Sequence, residues 1–362
     1  MITNNNRIIF IGPLPPPIHG MSSMNKAICD RLLNEGISFE RINTAAKSLD
    51  RHFFSRISKL PAVIFGWFQL VNWLFGPHPK LVYISIAGGL GQIYDLFMIS
   101  TARLFGARII FHHHTFAFLL QKNFLSKIIF FVAGKKAKHI TLCNTMAAQL
   151  EKKYQAFNIL VVSNLATMPL LNGFKREKLK TVGFIGNITV EKGGLTIIKL
   201  AKEIGFIKLP IKIKIAGPCP EPSLSEELYQ ANKDGILEWI GPVYGDKKMS
   251  FFSSIDVLIM PTQYPNEAEP LVVWEAMGTG SPVIAYDRGC ISEQIKKTAG
   301  MIISEEKDFV AETLKTLEYW LSNPVEYSNF SKSALKVYRA SIAEQESGWY
   351  RLLDTLTDEE AR

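Results

Sequence analysis

A chain of 362 residues that is 47% hydrophobic and 20% charged is too long for one ordinary core and apolar enough to fill two α/β domains. Its net charge of +8 is uneven: residues 1–165 hold 18 Lys and Arg against 6 Asp and Glu, whereas residues 166–362 hold 23 against 27. Cys29, Cys143, Cys219 and Cys290 are widely scattered and form no CxxC pair, which argues against zinc, redox or disulfide frameworks, and no arginine-rich or RNP-like run accompanies the basic half, which argues against nucleic acid.

The start, MITNNNRIIFIG, passes from a polar tail into a strand without the basic and apolar blocks of a signal peptide, so a cytoplasmic chain is expected. RIIFIG, KLVYISIA, ARIIFHHH and HITLC are short β-branched or aromatic runs separated by helix-length segments, the pattern of a doubly wound parallel sheet. In GPLPPPIHGMSSMNKA, after the first strand, Gly12 and Gly20 bracket a proline run before Ser22 or Ser23 caps a helix. Gly20 lets backbone approach a diphosphate or simply makes a tight turn, and the loop is not GxGxxG. Residues 51–76 join Arg51, Arg56 and Lys59 to an aromatic stretch too short for an ordinary membrane span. The stretch reads either as a helix buried against the sheet or as an interfacial segment on an anionic membrane surface, and NFLSKIIFFVAGKKAK (123–138) repeats the mixture. In HHHTF, His112 and His114 share one strand face; no further ligand stands at metal spacing, so His114 is a candidate cleft residue and no metal is expected.

After the irregular MPLLNGFKREK the pattern restarts: TVGFIG, IKIKIAG, LEWIG, DVLIMP and SPVIAY are strands with helical segments between them. The expected plan is a first domain over 1–168, a linker over 169–178, a second domain over 179–342 and a terminal helix, 343–362, that crosses back to the first. Ligand loops are expected at strand C-termini. FIGNITVEKGG puts Lys192 where a loop enters a helix, to neutralise a departing phosphate or to stand exposed in solvent. IAGPCP and WIGPVYGDKK set Gly217, Gly241 and Val243 at strand ends, to clasp a base or ribose or to make plain turns. In EAEPLVVWEAMGTGSPVIA a helix is expected to begin near Glu275, with Glu267 just ahead of it. Such a terminus suits a phosphate, and flanking carboxylates accept from sugar hydroxyls; the plainer reading is two solvated glutamates.

This ordered set of glycine loop, strand-end histidine, lysine loop and Glu-x7-Glu resembles, nearly end to end, the retaining nucleotide-sugar glycosyltransferases of the GT-B fold, glycosyltransferase family 4; VVSNL with Asn164 matches the strand before the linker. The resemblance implies an α/β chain of two Rossmann-like, doubly wound parallel-sheet domains facing across a cleft. It implies that Glu275 holds ribose hydroxyls, Glu267 the donor-sugar hydroxyls, and Lys192 the diphosphate, assisted by amides near Leu271 and Val272. Gly20 then closes on the donor and His114 contacts its sugar. The implied reaction is retaining and metal-free, with no cofactor beyond the nucleotide-sugar. It moves a sugar from a UDP-sugar to a saccharide or lipid-linked saccharide acceptor in surface polysaccharide or lipopolysaccharide assembly. The implied location is the cytoplasm, peripheral to the inner face of the plasma membrane. Two departures stand out. Asn187 occupies the place of a usual arginine, with Lys247 or Lys248 as the compensating cation, and Ala268, Glu269 and Pro270 replace Gly-Phe-Gly, so that Pro270 has no N–H to donate. A degenerate GT-B scaffold that binds without transfer, or a nucleotide-sugar epimerase, are the alternatives.

Overall fold

The computed structural model describes residues 8–17, 20–45 and 60–357; Arg51, Arg56 and Lys59 lie outside them. The chain divides into two compact units, Met1–Met168 with Gln345–Arg362, and Pro169–Glu344.

In the first unit, strands β1 (Ile8–Gly12), β2 (Glu40–Asn43), β3 (Leu81–Ile86), β4 (Arg108–His113), β5 (Lys138–Thr141) and β6 (Ile159–Val161) form one parallel sheet of order β2-β1-β3-β4-β5-β6. β1 and β3 are buried at every position because helices cover both sheet faces, which is why their sequences are almost wholly apolar, Ser85 being the polar exception. Alternate side chains serve opposite cores. Ile9, Ile11, Val82, Ile84 and Phe111 meet one helical layer, and Ile8, Phe10, Tyr83 and Ile110 meet the other. The second core is completed from the far end of the sequence by Trp349 and Leu352. Arg31 stacks over the Trp349 ring at 4.5 Å and pairs with Glu346 at 2.7 Å, while the Gln345 side chain accepts the N–H of Ser163 at 2.9 Å.

In the second unit, β7 (Thr181–Ile185), β8 (Lys212–Ala216), β9 (Glu238–Trp239), β10 (Val257–Met260), β11 (Val283–Tyr286) and β12 (Gly300–Ile303) form a parallel sheet of order β12-β11-β10-β7-β8-β9. Phe184, Ile215, Val257 and Ile259 anchor its core, against Ile197, Leu200, Leu317 and Trp320 of the covering helices. The strand order reverses between β7 and β10, as it does between β1 and β3 in the first sheet.

Two expectations are corrected. The helix near Glu275 begins earlier, at Leu271, and runs to Gly278, so Glu275 lies in its second turn. Pro270 caps it, since a residue without N–H and with φ preset near −65° fits the start of a helix and not its interior. Likewise β6 ends at Val161, and Asn164 opens a 3₁₀ turn (Asn164–Thr167) because the Ser163 hydroxyl accepts the N–H of Leu165 and caps it.

Because Trp349 is fully buried beneath Arg31, Trp349→Ala is expected to cost about 3–5 kcal/mol of unfolding free energy in urea titrations followed by circular dichroism. Tyr350→Ala, on the exposed side of the same helix, should stay within about 0.5 kcal/mol of the parent.

Candidate functional site

All strands of the second sheet run the same way, so the loops that follow them leave one edge. Where strand order reverses, the loops on the two sides turn apart and leave a crevice. Here that point lies between β7, whose following loop carries Lys192, and β10, whose following loop carries Glu267. The Lys192 Nζ lies 3.0 Å from Glu267 Oε2 and 5.3 Å from the centre of the Tyr264 ring. Both members of the pair are largely covered, at 26% and 11% side-chain exposure, so the charges meet outside bulk water. The approach depends on Gly193. Its φ of +88° starts the helix Gly194–Phe206, and a Cβ there would stand 2.5 Å from Pro261.

The helix Leu271–Gly278 follows directly on the Glu267 loop. Its first N–H groups, those of Leu271 and Val272, have no acceptor within the helix, and both residues are partly exposed. One turn further, Glu275 Oε1 pairs with Lys248 Nζ at 2.6 Å, while Oε2 is buried with no hydrogen-bond partner among the described residues. A desolvated carboxylate oxygen is costly unless a donor arrives, and sugar hydroxyls are such donors. Lys248 rides on the helix Asp246–Ser254, which brings a cation to this edge although Asn187, exposed in the β7 loop, supplies none.

The strand-end glycines are locked to one another. The Gly217 N–H donates to the Gly241 carbonyl at 2.7 Å, and the Gly186 N–H donates to the Ala216 carbonyl at 3.1 Å. Gly217 has φ +129°, and a Cβ there would lie 1.8 Å from the Gly186 oxygen, so the β7 and β8 loops touch through backbone alone. Val243 follows, half-buried. The turn that holds Glu267 is braced from β11: the Cys290 N–H donates to the Ala268 carbonyl at 2.7 Å, and Gln294 Nε2 donates to the Pro270 carbonyl at 3.2 Å. Glu269 is buried and accepts from Trp274 Nε1 at 3.0 Å. Tyr264 carries no sequence motif, and the one signal of the Gly289–Gln294 brace was the strand-end position of Tyr-Asp-Arg-Gly.

In the first unit, Gly20 is the exposed first residue of the helix Gly20–Asn34, and a Cβ there would meet nothing within 4 Å, so packing does not demand glycine. The loop 87–91, AlaGlyGlyLeuGly, lies on the other side of this sheet's reversal point and was missed by sequence reasoning, though its glycines at a strand end mark it. His114 stands one residue past β4, its ring 4.0 Å from that of His112. Its Nε2 is buried and unpartnered among the described residues, and burial pulls its pKa down to about 4, so the imidazole is neutral at pH 7. His112 Nδ1 lies 2.6 Å from the Tyr83 hydroxyl, and His113 Nε2 lies 3.0 Å from His139 Nδ1. Among the described residues no group of His, Cys, Asp or Glu is arranged to hold a metal ion.

Residues 172–337 match the family described as glycosyl transferases group 1. An uncharacterized glycosyltransferase of Haemophilus influenzae is 22% identical over 302 residues, 83% of this chain and 80% of that protein. Among solved structures, Anabaena HepE in complex with UDP-glucose superposes with a TM-score of 0.68 at 11% identity, covering 96% of this chain and 99% of HepE. WaaG, a glycosyltransferase involved in lipopolysaccharide biosynthesis, superposes at 0.65 with 14% identity, covering 97% of this chain and all of WaaG. Residues 172–337 thus match the group 1 glycosyltransferases, and the chain has the GT-B fold of two Rossmann-like units.

The imidazole cluster sets a pH dependence. Burial holds His114 and His139 near pKa 4 in the folded chain, whereas unfolded histidine titrates near 6.5, so the unfolded state binds more protons between these values. Unfolding free energy should therefore fall as pH drops from 6.5 towards 4, and His139→Gln should flatten that slope in urea titrations run across the same range.

Proposed function

We propose that the chain moves a sugar from a UDP-sugar to a saccharide or lipid-linked saccharide acceptor, with retention of anomeric configuration and without a metal. The observation that carries this reading is the 3.0 Å pairing of Lys192 with Glu267 across the reversal point of the second sheet. A nucleoside diphosphate leaving from a sugar develops negative charge. Lys192, together with the free N–H groups of Leu271 and Val272 at a helix N-terminus, is placed to stabilise that charge as it appears.

The Glu267 carboxylate neutralises the lysine. A diphosphate takes over that role, and the carboxylate is left to accept from the hydroxyls of the transferred sugar. Glu275 serves the ribose, with its unpartnered Oε2 as acceptor. Lys248 supplies the fixed cation that Asn187 does not, held in place by Glu275 until the donor binds. The base lies along Gly217, Gly241 and Val243, and Glu269 and Pro270 shape the turn beneath the sugar. In the first unit, Gly20 and His114 are ligand candidates by the family resemblance, and burial keeps His114 neutral, which suits a hydrogen-bond partner and not an acid.

The acceptor hydroxyl attacks the anomeric carbon on the face from which the diphosphate oxygen departs. Its proton passes to that oxygen as the glycosidic bond forms. No carboxylate need act as nucleophile or acid, in contrast to glycoside hydrolysis. The complex of HepE with UDP-glucose supports a UDP donor. The role of WaaG in lipopolysaccharide biosynthesis supports a lipid-linked acceptor in surface polysaccharide assembly, and with it a cytoplasmic enzyme at the inner face of the plasma membrane. The neutral Asn187 and the missing N–H of Pro270 favour the competing reading, a GT-B binding protein without turnover.

Thermal shift against UDP-, GDP-, ADP- and CMP-sugars should select the UDP-sugars, since a ligand of the folded state raises Tm. Lys192→Ala and Glu275→Ala should each lower transfer by at least about tenfold, equivalent to roughly 1.4 kcal/mol of transition-state stabilisation. Unaltered turnover in both variants would sink the assignment, and donor binding without turnover in the parent would favour the binding protein.

A further inference from the structure

In the first unit, helices Leu60–Leu74, Gln92–Leu104 and Phe124–Ala133 lie side by side on one face of the sheet. Their inner sides bury Leu70, Ile99 and Ile129 against Ile11, Val82 and Phe111. Their outer sides stay large and apolar. Phe68 and Phe75, Phe97 and Leu104, and Phe124 and Phe131 are between 50% and 86% exposed. Members of each pair stand seven residues apart, two turns along one face of a helix or its immediate extension. Trp67 joins neighbouring helices, with its ring 5.0 Å from Phe68 and 5.4 Å from Phe97. So wide an apolar face left open on a folded domain marks an interaction surface.

Charge identifies what it meets. Between Leu60 and Lys136 the chain has seven Lys and Arg and a single acid, Asp95, which is buried and accepts the N–H of Ala87 at 2.7 Å. Exposed Lys127 lies on the same helix face as Phe124 and Phe131, three and four residues from them, and exposed Lys122, Lys135 and Lys136 bracket that helix. Rings interleaved with ammonium groups match the boundary of a bilayer, where the rings enter beside acyl chains and the cations meet lipid phosphates. No helix among the described residues is long and apolar enough to cross a membrane, so the layer would lie on the bilayer.

We propose that this three-helix face docks on an anionic lipid bilayer, with its aromatic pairs at the headgroup boundary and Lys122, Lys127, Lys135 and Lys136 on lipid phosphates. The proposal rests on the transferase reading only in that the bilayer carries the lipid-linked acceptor.

The test uses the full chain in co-sedimentation with vesicles of phosphatidylcholine, with and without phosphatidylglycerol, alongside UDP-sugar calorimetry and sedimentation velocity. Binding should require phosphatidylglycerol, weaken with salt, and fall by at least about tenfold in Phe68→Ser/Phe131→Ser and in Lys127→Glu/Lys135→Glu. These exposed positions should leave the thermal melt and donor affinity unchanged, which separates lost docking from lost folding. Equal binding by parent and variants, no binding to the anionic vesicles, or a dimer that Phe68→Ser/Phe131→Ser dissolves while vesicle binding persists, would each overturn the proposal. Vesicle binding without donor affinity would leave the docking face standing and remove the transferase reading alone.

Discussion

The pairing of Lys192 with Glu267 depends on one topological fact, that β10 is added beside β7 and not beyond β9. Had the chain continued outward past β9, the two loops would leave strands at distant places in the sheet, and neither the ion pair nor the crevice would form. Everything else at this edge follows from it. The helix Leu271–Gly278 follows directly on the β10 loop, so its first N–H groups come four residues after the Glu267 that meets Lys192. A partly covered ion pair repays little of its desolvation as stability. Its consequence is geometric, since the pair holds the cation at a fixed place on this edge.

Backbone contact makes this edge rigid. Gly186, Gly217 and Gly241 bind the loops of β7, β8 and β9 together with no side chain between them, and Gly289 allows the β11 loop to close on the turn that carries Glu267. At Gly217 and Gly289 glycine answers to a neighbouring carbonyl oxygen, whereas at Gly20 the space is open. The same residue type is thus required by packing in one loop and free to serve close approach in another. The buried imidazoles of the first unit follow the opposite logic. Low-dielectric surroundings hold them neutral, so they suit hydrogen bonding to uncharged groups and do not add to the basic charge of that half.

Much of the fold was legible in the sequence because strands buried on both faces must be continuously apolar. β1, β3, β4, β7, β8 and β10 stand where their runs of Ile, Val and Phe place them. β2 was not anticipated, since an edge strand reading Glu-Arg-Ile-Asn buries only Ile42, and β12 was missed because a four-residue strand opened by glycine carries little pattern. The aromatic stretch before Phe75 was open between a buried helix and an interfacial one. One side, with Leu70 and Trp73, is buried and the other, with Phe65 and Phe68, is exposed, and a helix that is apolar all round has no periodicity to show which side the sheet covers.

By itself, the sequence determined the candidate residues of the second half and their order, since Lys192 at a helix entry and Glu267 and Glu275 around a helix start are local features. Which of them meet was decided by the tertiary structure alone. Lys248 reaches Glu275 from 27 positions away in sequence, and Lys192 reaches Glu267 across the sheet. Local pattern reports the conformation of a segment; strand order and the burial of helix faces arise from the packing of segments distant in the chain, and those two choices set the charges at the site and the face left open for a partner.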